Sequence, residues 1–218
     1  LIRSKRELDN RLVTAQRRLE REVFKSSVFE RLLEYHGAET ESFLRKKIIA
    51  ISGDISNEKL GLTEDTYKEL CEEVDIVISS GAVVSFDAPL DTAIEGNSLS
   101  AARIAEFANA CKGALLVHVS TAYVAGTANK NVPETIFHQA TKEELKTPLP
   151  HLKFSDVDHE LELLRAKIKN LKVQAASQRR QKLNTGKKNK ETLETLQGKW
   201  LQGRLVEEGM RWAQKRGW

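Results

Sequence analysis

Two aliphatic runs that each end in small hydroxylated residues constrain this chain most. The first is Val117-His118-Val119-Ser120-Thr121-Ala122-Tyr123-Val124-Ala125-Gly126, which reads as a strand delivering Ser120 and Thr121 to its carboxyl end. The second runs from Val74 to Ile78 and ends in Ser79-Ser80-Gly81-Ala82. Near-continuous apolar runs suit strands covered on both faces of a parallel sheet. Ligands in such sheets bind beyond the carboxyl ends of the strands. Two strands with matching ends therefore predict one shared site.

Helical patterns alternate with these runs. Leu8, Leu12, Ala15, Leu19 and Val23 recur at steps of three or four and predict an amphipathic helix from Lys5 to about Val23. Ser27 with Glu30 has the spacing of a capping box, and Gly37 suits the left-handed stop of the helix that follows. A short helix from about Glu39 to Lys46 leads into a strand from Ile48 to Ser52, which ends in Gly53-Asp54-Ile55-Ser56. Thr63 caps a helix reaching Glu73, and a long helix spans about Pro89 to Cys111. A strand from Ala114 to Val119 follows. Strands alternating with helices predict βαβ units and a doubly wound α/β sheet.

After Gly126 the pattern changes. Asn129 to Leu152 is loop-like. Residues 156 to about 176 are helical, with Leu161, Leu164, Ile168 and Leu171 on one face. A basic stretch from Gln178 to Lys190 reads as loop, and a last helix runs from about Glu191 to Lys215. Residues 1–133 are thus expected to form a nucleotide-binding domain, and residues 134–218 a mainly helical insertion.

Hydrophobic residues make up 40% of the 218, enough for a core. The net charge of +4 is too mild for a dedicated nucleic-acid binder, so no nucleic-acid partner is expected. No apolar run approaches the roughly 20 residues that span a bilayer. Cys71 and Cys111 fall in separate helices without metal-ligand spacing. They read as reduced thiols of a cytoplasmic protein, and no metal site is expected.

Several residues stand where chemistry is expected. Arg3 follows a short apolar strand end. In dinucleotide-binding sheets an acid at that place suits a free ribose 2′-hydroxyl and an Arg suits a 2′-phosphate, so Arg3 favours NADPH over NADH. Solvated charge at a helix start is the plainer reading. Asp54 has the position to accept from an adenine amine with Ile55 packed on the ring, or else forms a simple strand-end turn. Ser80, Gly81 and Ala82 are small enough for a flat cofactor to lie against backbone, or for a tight connection. Asn97 falls on the apolar stripe of Leu90, Ile94, Ala101, Ile104 and Ala108, so its amide is expected to be buried and to need partners. Ser120 and Thr121 can hold a carbonyl oxygen or cap a turn. The cations from Arg179 to Lys190 read as a solvated run, or as a contact for a phosphorylated substrate or an anionic membrane. Trp200 and Trp212 read as packing residues.

Together these segments resemble the fatty acyl-coenzyme A reductases of the extended short-chain dehydrogenase/reductases, in their bacterial, alcohol-forming type with a male-sterility-like NAD(P)-binding domain. The resemblance is carried by Ser26-Ser27-Val28-Phe29-Glu30-Arg31-Leu32, by Gly53-Asp54-Ile55-Ser56, by Asp75 through Phe86, by Asn97, and by His118-Val119-Ser120-Thr121-Ala122-Tyr123-Val124. It is strong from Leu1 to Pro133, looser to Lys190, and returns from Leu205 to Trp218. It implies a partial Rossmann-like doubly wound sheet and NADPH-dependent reduction of a long-chain fatty acyl-coenzyme A. It further implies that Thr121, with Ser120 beside it, holds the carbonyl oxygen and Asn97 supports a proton relay. By the same resemblance Ser80, Gly81 and Ala82 line the cofactor, Asp54 and Ile55 hold adenine, and Arg3 faces the 2′-phosphate. Two family features are not found in these residues. No glycine-rich phosphate loop is present, and Tyr35, Tyr67 and Tyr123 are followed four residues on by Glu39, Cys71 and Thr127 rather than Lys. The chain is therefore expected to behave as an internal fragment without its first strand, poorly stable and inactive alone. Carrier-protein thioester reduction, sugar-nucleotide epimerisation and a non-enzymatic, basic, helical membrane- or partner-binding module are the competing readings.

Overall fold

The computed structural model describes residues 1–6, 12–121, 157–184 and 190–216. The turn Ala122 to Gly126 and the expected loop from Asn129 to Leu152 lie outside them. The chain divides into two compact units, Leu1–Gly81 with Glu95–His118 and Ala82–Ile94 with Val119–Trp218.

The first unit departs at once from the expected N-terminal helix. Lys5–Arg6 (β1) pairs antiparallel with Leu12–Val13 (β2), and the helix begins only at Ala15–Arg18 (α1). Thr14 sets that start: its backbone is extended and its hydroxyl accepts from Arg17 N at 3.4 Å. A π-helical turn, Leu19–Val23, continues α1. The next cap is Ser26, one residue before the expected Ser27, with its hydroxyl accepting from Val28 N. A single 3₁₀ turn leads into Glu30–His36 (α2), which stops at Gly37 with φ +53°. Thr40–Lys47 (α3) follows.

The expected strand at Ile48–Ser52 is reduced to one parallel bridge, Ile2 to Ser52. Glu64–Glu73 (α4) begins at Thr63 as expected, with the Thr63 hydroxyl accepting from Thr66 N. Ile76–Ser79 (β3) is followed by Leu90–Ala93 (α5), a π-helical turn Ile94–Leu99, and Ser100–Ala110 (α6). Leu115–His118 (β4) then pairs parallel with β3, from Ile76 against Leu115 to Ser79 against His118. Parallel neighbours need a crossover, and α6 supplies it, packed on both strands.

The core lies between this pair and the helices. Leu60, Ile104, Phe107 and Cys111 are buried together, with Leu70, Val74 and Val77 against them. Tyr67 meets Phe107 edge-on at 5.2 Å. Among the described residues helices cover one face only. Ile76 is 56% and Ile78 69% exposed, and all four residues of β4 are exposed. The expectation of strands covered on both faces is not met among the described residues. Among the described residues the sheet is α/β with a small parallel pair, not a continuous doubly wound sheet.

In the second unit, Val157–Asn184 (α7) and Lys190–Arg216 (α8) pack together. The expected stripe on α7 is the packed one: Leu171 and Ala175 are buried, and Leu161, Leu164 and Ile168 are half-buried. The helix runs on through Asn184, where loop was expected from Gln178. Gln, Arg, Lys and Leu all favour helix, so charge alone does not break it. Trp200 and Trp212 are half-buried. Glu208 is buried beside Lys167 Nζ at 3.2 Å and Arg211 Nη1 at 3.1 Å. Among the described residues no helix is long and apolar enough to cross a membrane.

Gly53 admits no side chain. A Cβ there would stand 2.5 Å from Leu1 Cδ2 and 2.8 Å from the Leu60 carbonyl oxygen, which is backbone. Gly53→Ala is expected to destabilise the chain by about 1–3 kcal/mol in urea unfolding. Cys71 and Cys111 are both free thiols. Burial, reinforced by Cys71, pushes the Cys111 thiol from 9.0 up to about 11. Between those values the unfolded chain holds fewer protons than the folded one, so stability falls as pH rises through that window. Urea midpoints measured from pH 8 to 11 are expected to show this fall, and Cys111→Ala to flatten it.

Candidate functional site

The carboxyl ends of the strands in the first unit bring four of the expected residues into two contacts. Arg3 Nη2 donates to Asp54 Oδ1 at 2.8 Å and to Ser56 Oγ at 3.5 Å. Asp54 Oδ1 also accepts from Ser56 N at 3.0 Å, an Asx turn that fixes the carboxylate. The backbone of the same loop is held by Asp54 N donating to Leu60 O at 2.8 Å. Lys59 and Leu60 take positive φ to make that turn, followed by Gly61 at +64°. Arg3 is 60% exposed and Asp54 25%, so the pair sits at the surface. Among the described residues both Arg3 side-chain bonds use the single Nη2 atom.

The second contact joins Ile55 to Gly81. A Cβ on Gly81 would lie 3.4 Å from Ile55 Cδ1, so the ring of small residues after β3 abuts the Ile55 side chain. Ser80 and Gly81 are exposed. Together with Ile55 they border an apolar cavity of about 550 Å³ within the first unit. Beneath them the sequence reading missed a bond: Ser79, 5% exposed, meets His118 Nδ1 through its Oγ at 3.1 Å. The signal was present, since both residues close their strands. His118 thus braces the strand ends.

Asn97 stands apart from the expected stripe. The π-helical turn Ile94–Leu99 inserts a residue, so Ile94, Gly96, Ser100 and Ile104 take the buried positions and Asn97 is exposed. Ser100 Oγ donates to Gly96 O at 2.7 Å, which closes the turn. Arg103 Nη2 bonds Glu95 at 2.9 Å from the adjoining turn of helix. The sequence reading did not single out Arg103. Ala82, Ser120 and Thr121 are exposed and belong to the second unit. Among the described residues no cluster of His, Cys, Asp and Glu could hold a metal ion.

The sequence matches the family described as male sterility protein over residues 1–212. The chain belongs to that family. Its relatives include fatty acyl-CoA reductase 2, chloroplastic, of Arabidopsis thaliana, 35% identical over 67% of this chain and 24% of that protein. They also include the alcohol-forming fatty acyl-CoA reductase of Simmondsia chinensis, 32% identical over 76% of this chain and 33% of that protein. Fatty acyl-CoA reductase 1 of Pongo abelii is 32% identical over 57% of this chain and 23% of that protein. The chain thus spans about a third or less of the curated relatives it matches. These relatives come from plants and an ape, and add nothing for the bacterial type that the motifs suggested. A solved structure, the terminal R domain from the myxalamid PKS-NRPS biosynthetic pathway, superposes with a TM-score of 0.40 and 25% identity over 59% of this chain and 29% of that one. The family assignment rests on the sequence match alone. A nicotinamide dinucleotide is the cofactor class of this NAD-binding family.

The Arg3–Asp54 pair is worth about 0.2–1 kcal/mol by the usual range for exposed pairs. A double-mutant cycle of Arg3→Ala with Asp54→Asn, which keeps the turn to Ser56, is expected to return a coupling in that range by urea unfolding. In 1 M salt the coupling should shrink towards zero.

Proposed function

We propose that these residues form the NADPH-binding part of a fatty acyl-coenzyme A reductase, with residues 1–133 as the nucleotide-binding region and 134–218 as its helical annex. The Arg3–Asp54 pair beside the Ile55–Gly81 contact carries this reading. It sets a guanidinium, a carboxylate, an aliphatic side chain and bare backbone at one strand-end level. These are the groups that a phosphorylated ribose, an adenine amine and an adenine ring require. Arg3 uses Nη2 towards Asp54 and turns Nε and Nη1 to a 2′-phosphate. Asp54 accepts from the adenine amine, Ile55 packs on the ring, and Ser80, Gly81 and Ala82 leave room for the cofactor to lie on backbone.

NADPH supplies the hydride. Thr121, with Ser120 beside it, donates to the thioester carbonyl oxygen where negative charge develops. Asn97, on its exposed π-helical turn, supports the relay that returns a proton to that oxygen. The names of the relatives support a fatty acyl-coenzyme A as the substrate class, and a long-chain one is the finer reading proposed here. The cations between Arg179 and Lys190 suit a peripheral contact with an anionic membrane surface. None of the three tyrosines has Lys four residues on, so these 218 residues hold no Tyr-x-x-x-Lys pair.

Titration of the chain with NADPH and with NADH, followed by nicotinamide fluorescence, tests the reading. NADPH is expected to bind the more tightly. A charged hydrogen bond contributes about 1.5–3 kcal/mol, so Arg3→Ala should weaken NADPH by about 10- to 100-fold and leave NADH unchanged. Equal binding of the two nucleotides, or equal loss of both in Arg3→Ala, would overturn the assignment. With palmitoyl-coenzyme A present the 218 residues should show no NADPH oxidation.

A further inference from the structure

We propose that Cys71 and Cys111 form a modification site, a thiol pair that a small-molecule disulfide such as glutathione disulfide oxidises to a reversible bond between α4 and the end of α6. Two cysteines can be bridged without backbone movement only where their side chains already meet. Several contacts bring this pair together. Lys112 N donates to Cys71 O at 3.3 Å, so the backbone just after Cys111 is tied to Cys71 itself. Cys111 Sγ lies 4.0 Å from Leu70 O, on the residue before Cys71. Lys112 Nζ donates to Glu72 Oε2 and clamps the same two helix ends from the solvent side. The two thiols are themselves in hydrogen-bond contact.

Unequal surroundings set the order of events. Cys71 is partly exposed, whereas Cys111 is 4% exposed and packed with Leu60, Ile104 and Phe107. An oxidant in solution therefore meets Cys71 first. The Cys71 thiolate attacks one sulfur of glutathione disulfide, breaks that S–S bond and releases one glutathione thiolate. Cys111 then gives up its proton and attacks the Cys71 sulfur of the mixed disulfide. The Cys71–Cys111 bond forms, the bond to glutathione breaks, and the second glutathione thiolate leaves. The two cysteines are oxidised, glutathione disulfide is reduced, and the protons from both cysteines end on the two glutathione thiols.

Burial keeps Cys111 protonated, which makes it a poor nucleophile towards free oxidants. Held against Cys71 it needs no diffusional encounter, and such positioning replaces concentration. The product suits its place, because a disulfide is uncharged and puts no ion into the apolar cluster. A metal is not the ligand class: among the described residues no third His, Cys, Asp or Glu completes a metal-holding group with the pair. The loop closed by the bond contains β3 and α6. Cross-linking its ends restricts the unfolded chain, so oxidation stabilises the first unit. Intracellular disulfides are mostly transient and redox-sensing, which fits a reversible latch.

Equilibration of the chain in glutathione buffers of set thiol-to-disulfide ratio tests this, with acid quenching and peptide mapping by mass spectrometry. The expected product is lighter by two hydrogens, links the Cys71 and Cys111 peptides, carries no glutathione, and returns to the dithiol in dithiothreitol. Cys111→Ser should stop at a glutathione adduct on Cys71. The bond should be at least about tenfold more favourable in buffer than in urea, because a cross-link that stabilises the fold is stabilised by it in turn. The urea midpoint of the oxidised chain should rise accordingly. Any of four results would overturn the proposal: a chain that stays reduced, a glutathione adduct that persists on Cys71 of the unmutated chain, disulfide-linked dimers as the main product, or a bond equally favourable in buffer and in urea.

Discussion

Parallel pairing of β3 with β4 fixes the level of the polar groups in the first unit. Ser79 lies opposite His118 in register, and their side chains bond at 3.1 Å. That bond satisfies a buried hydroxyl, which would otherwise be costly. It also brings both strands to an end at one height. The chain then leaves β3 as Ser80-Gly81 and leaves β4 as Val119-Ser120. Below this level α4 and α6 hold the pairing from one side among the described residues, through Leu70, Ile104, Phe107 and Cys111.

What was legible in the sequence was the local chemistry. Thr63 caps α4, Gly37 ends α2, and the stripe from Leu161 to Leu171 is the face that α7 packs. Each of these depends on neighbours within a few residues. The misses in the sheet depend on what packs across from each strand. An apolar run such as Leu115 to Val117 has the same composition whether one face or two are covered, so its exposure was not readable. The N-terminal stripe from Leu8 to Val23 fits a helix by period, yet Leu12–Val13 pairs with Lys5–Arg6 instead. Helical periodicity is a statement about one face, and a strand pairing two residues long is decided by what lies across it.

The Arg3–Asp54 pair shows a further limit of reading residues singly. Each was assigned its own contact with a nucleotide, and the structure bonds them to each other across 51 positions. The pair is exposed enough that its attraction is weak. On the proposed reading a phosphate at Nε and Nη1 of Arg3 would compete with little, and the Asx turn holds the carboxylate independently of Arg3. An acid bonded this way orients Arg3, a role that reading Asp54 alone did not suggest.

Asn97 illustrates how one inserted residue changes a face. A π-helical turn is an α-helix with an extra residue, and such turns concentrate at functional sites. Here it moves the buried positions to Gly96 and Ser100 and turns Asn97 outward. The turn is closed by the Ser100 bond to Gly96 O and tied to the following helix by Arg103 and Glu95. Glu58 also reaches Arg103, but at 3.5 Å and 87% exposed it adds little. Arg103 keeps Nη1 buried without a hydrogen-bond partner among the described residues, which costs on the order of 1–3 kcal/mol. A straight α-helix would place Asn97 on the buried stripe and leave its amide to find partners inside the core. The π-helical turn sets the amide at the surface instead, where water can satisfy it without a partner inside the core.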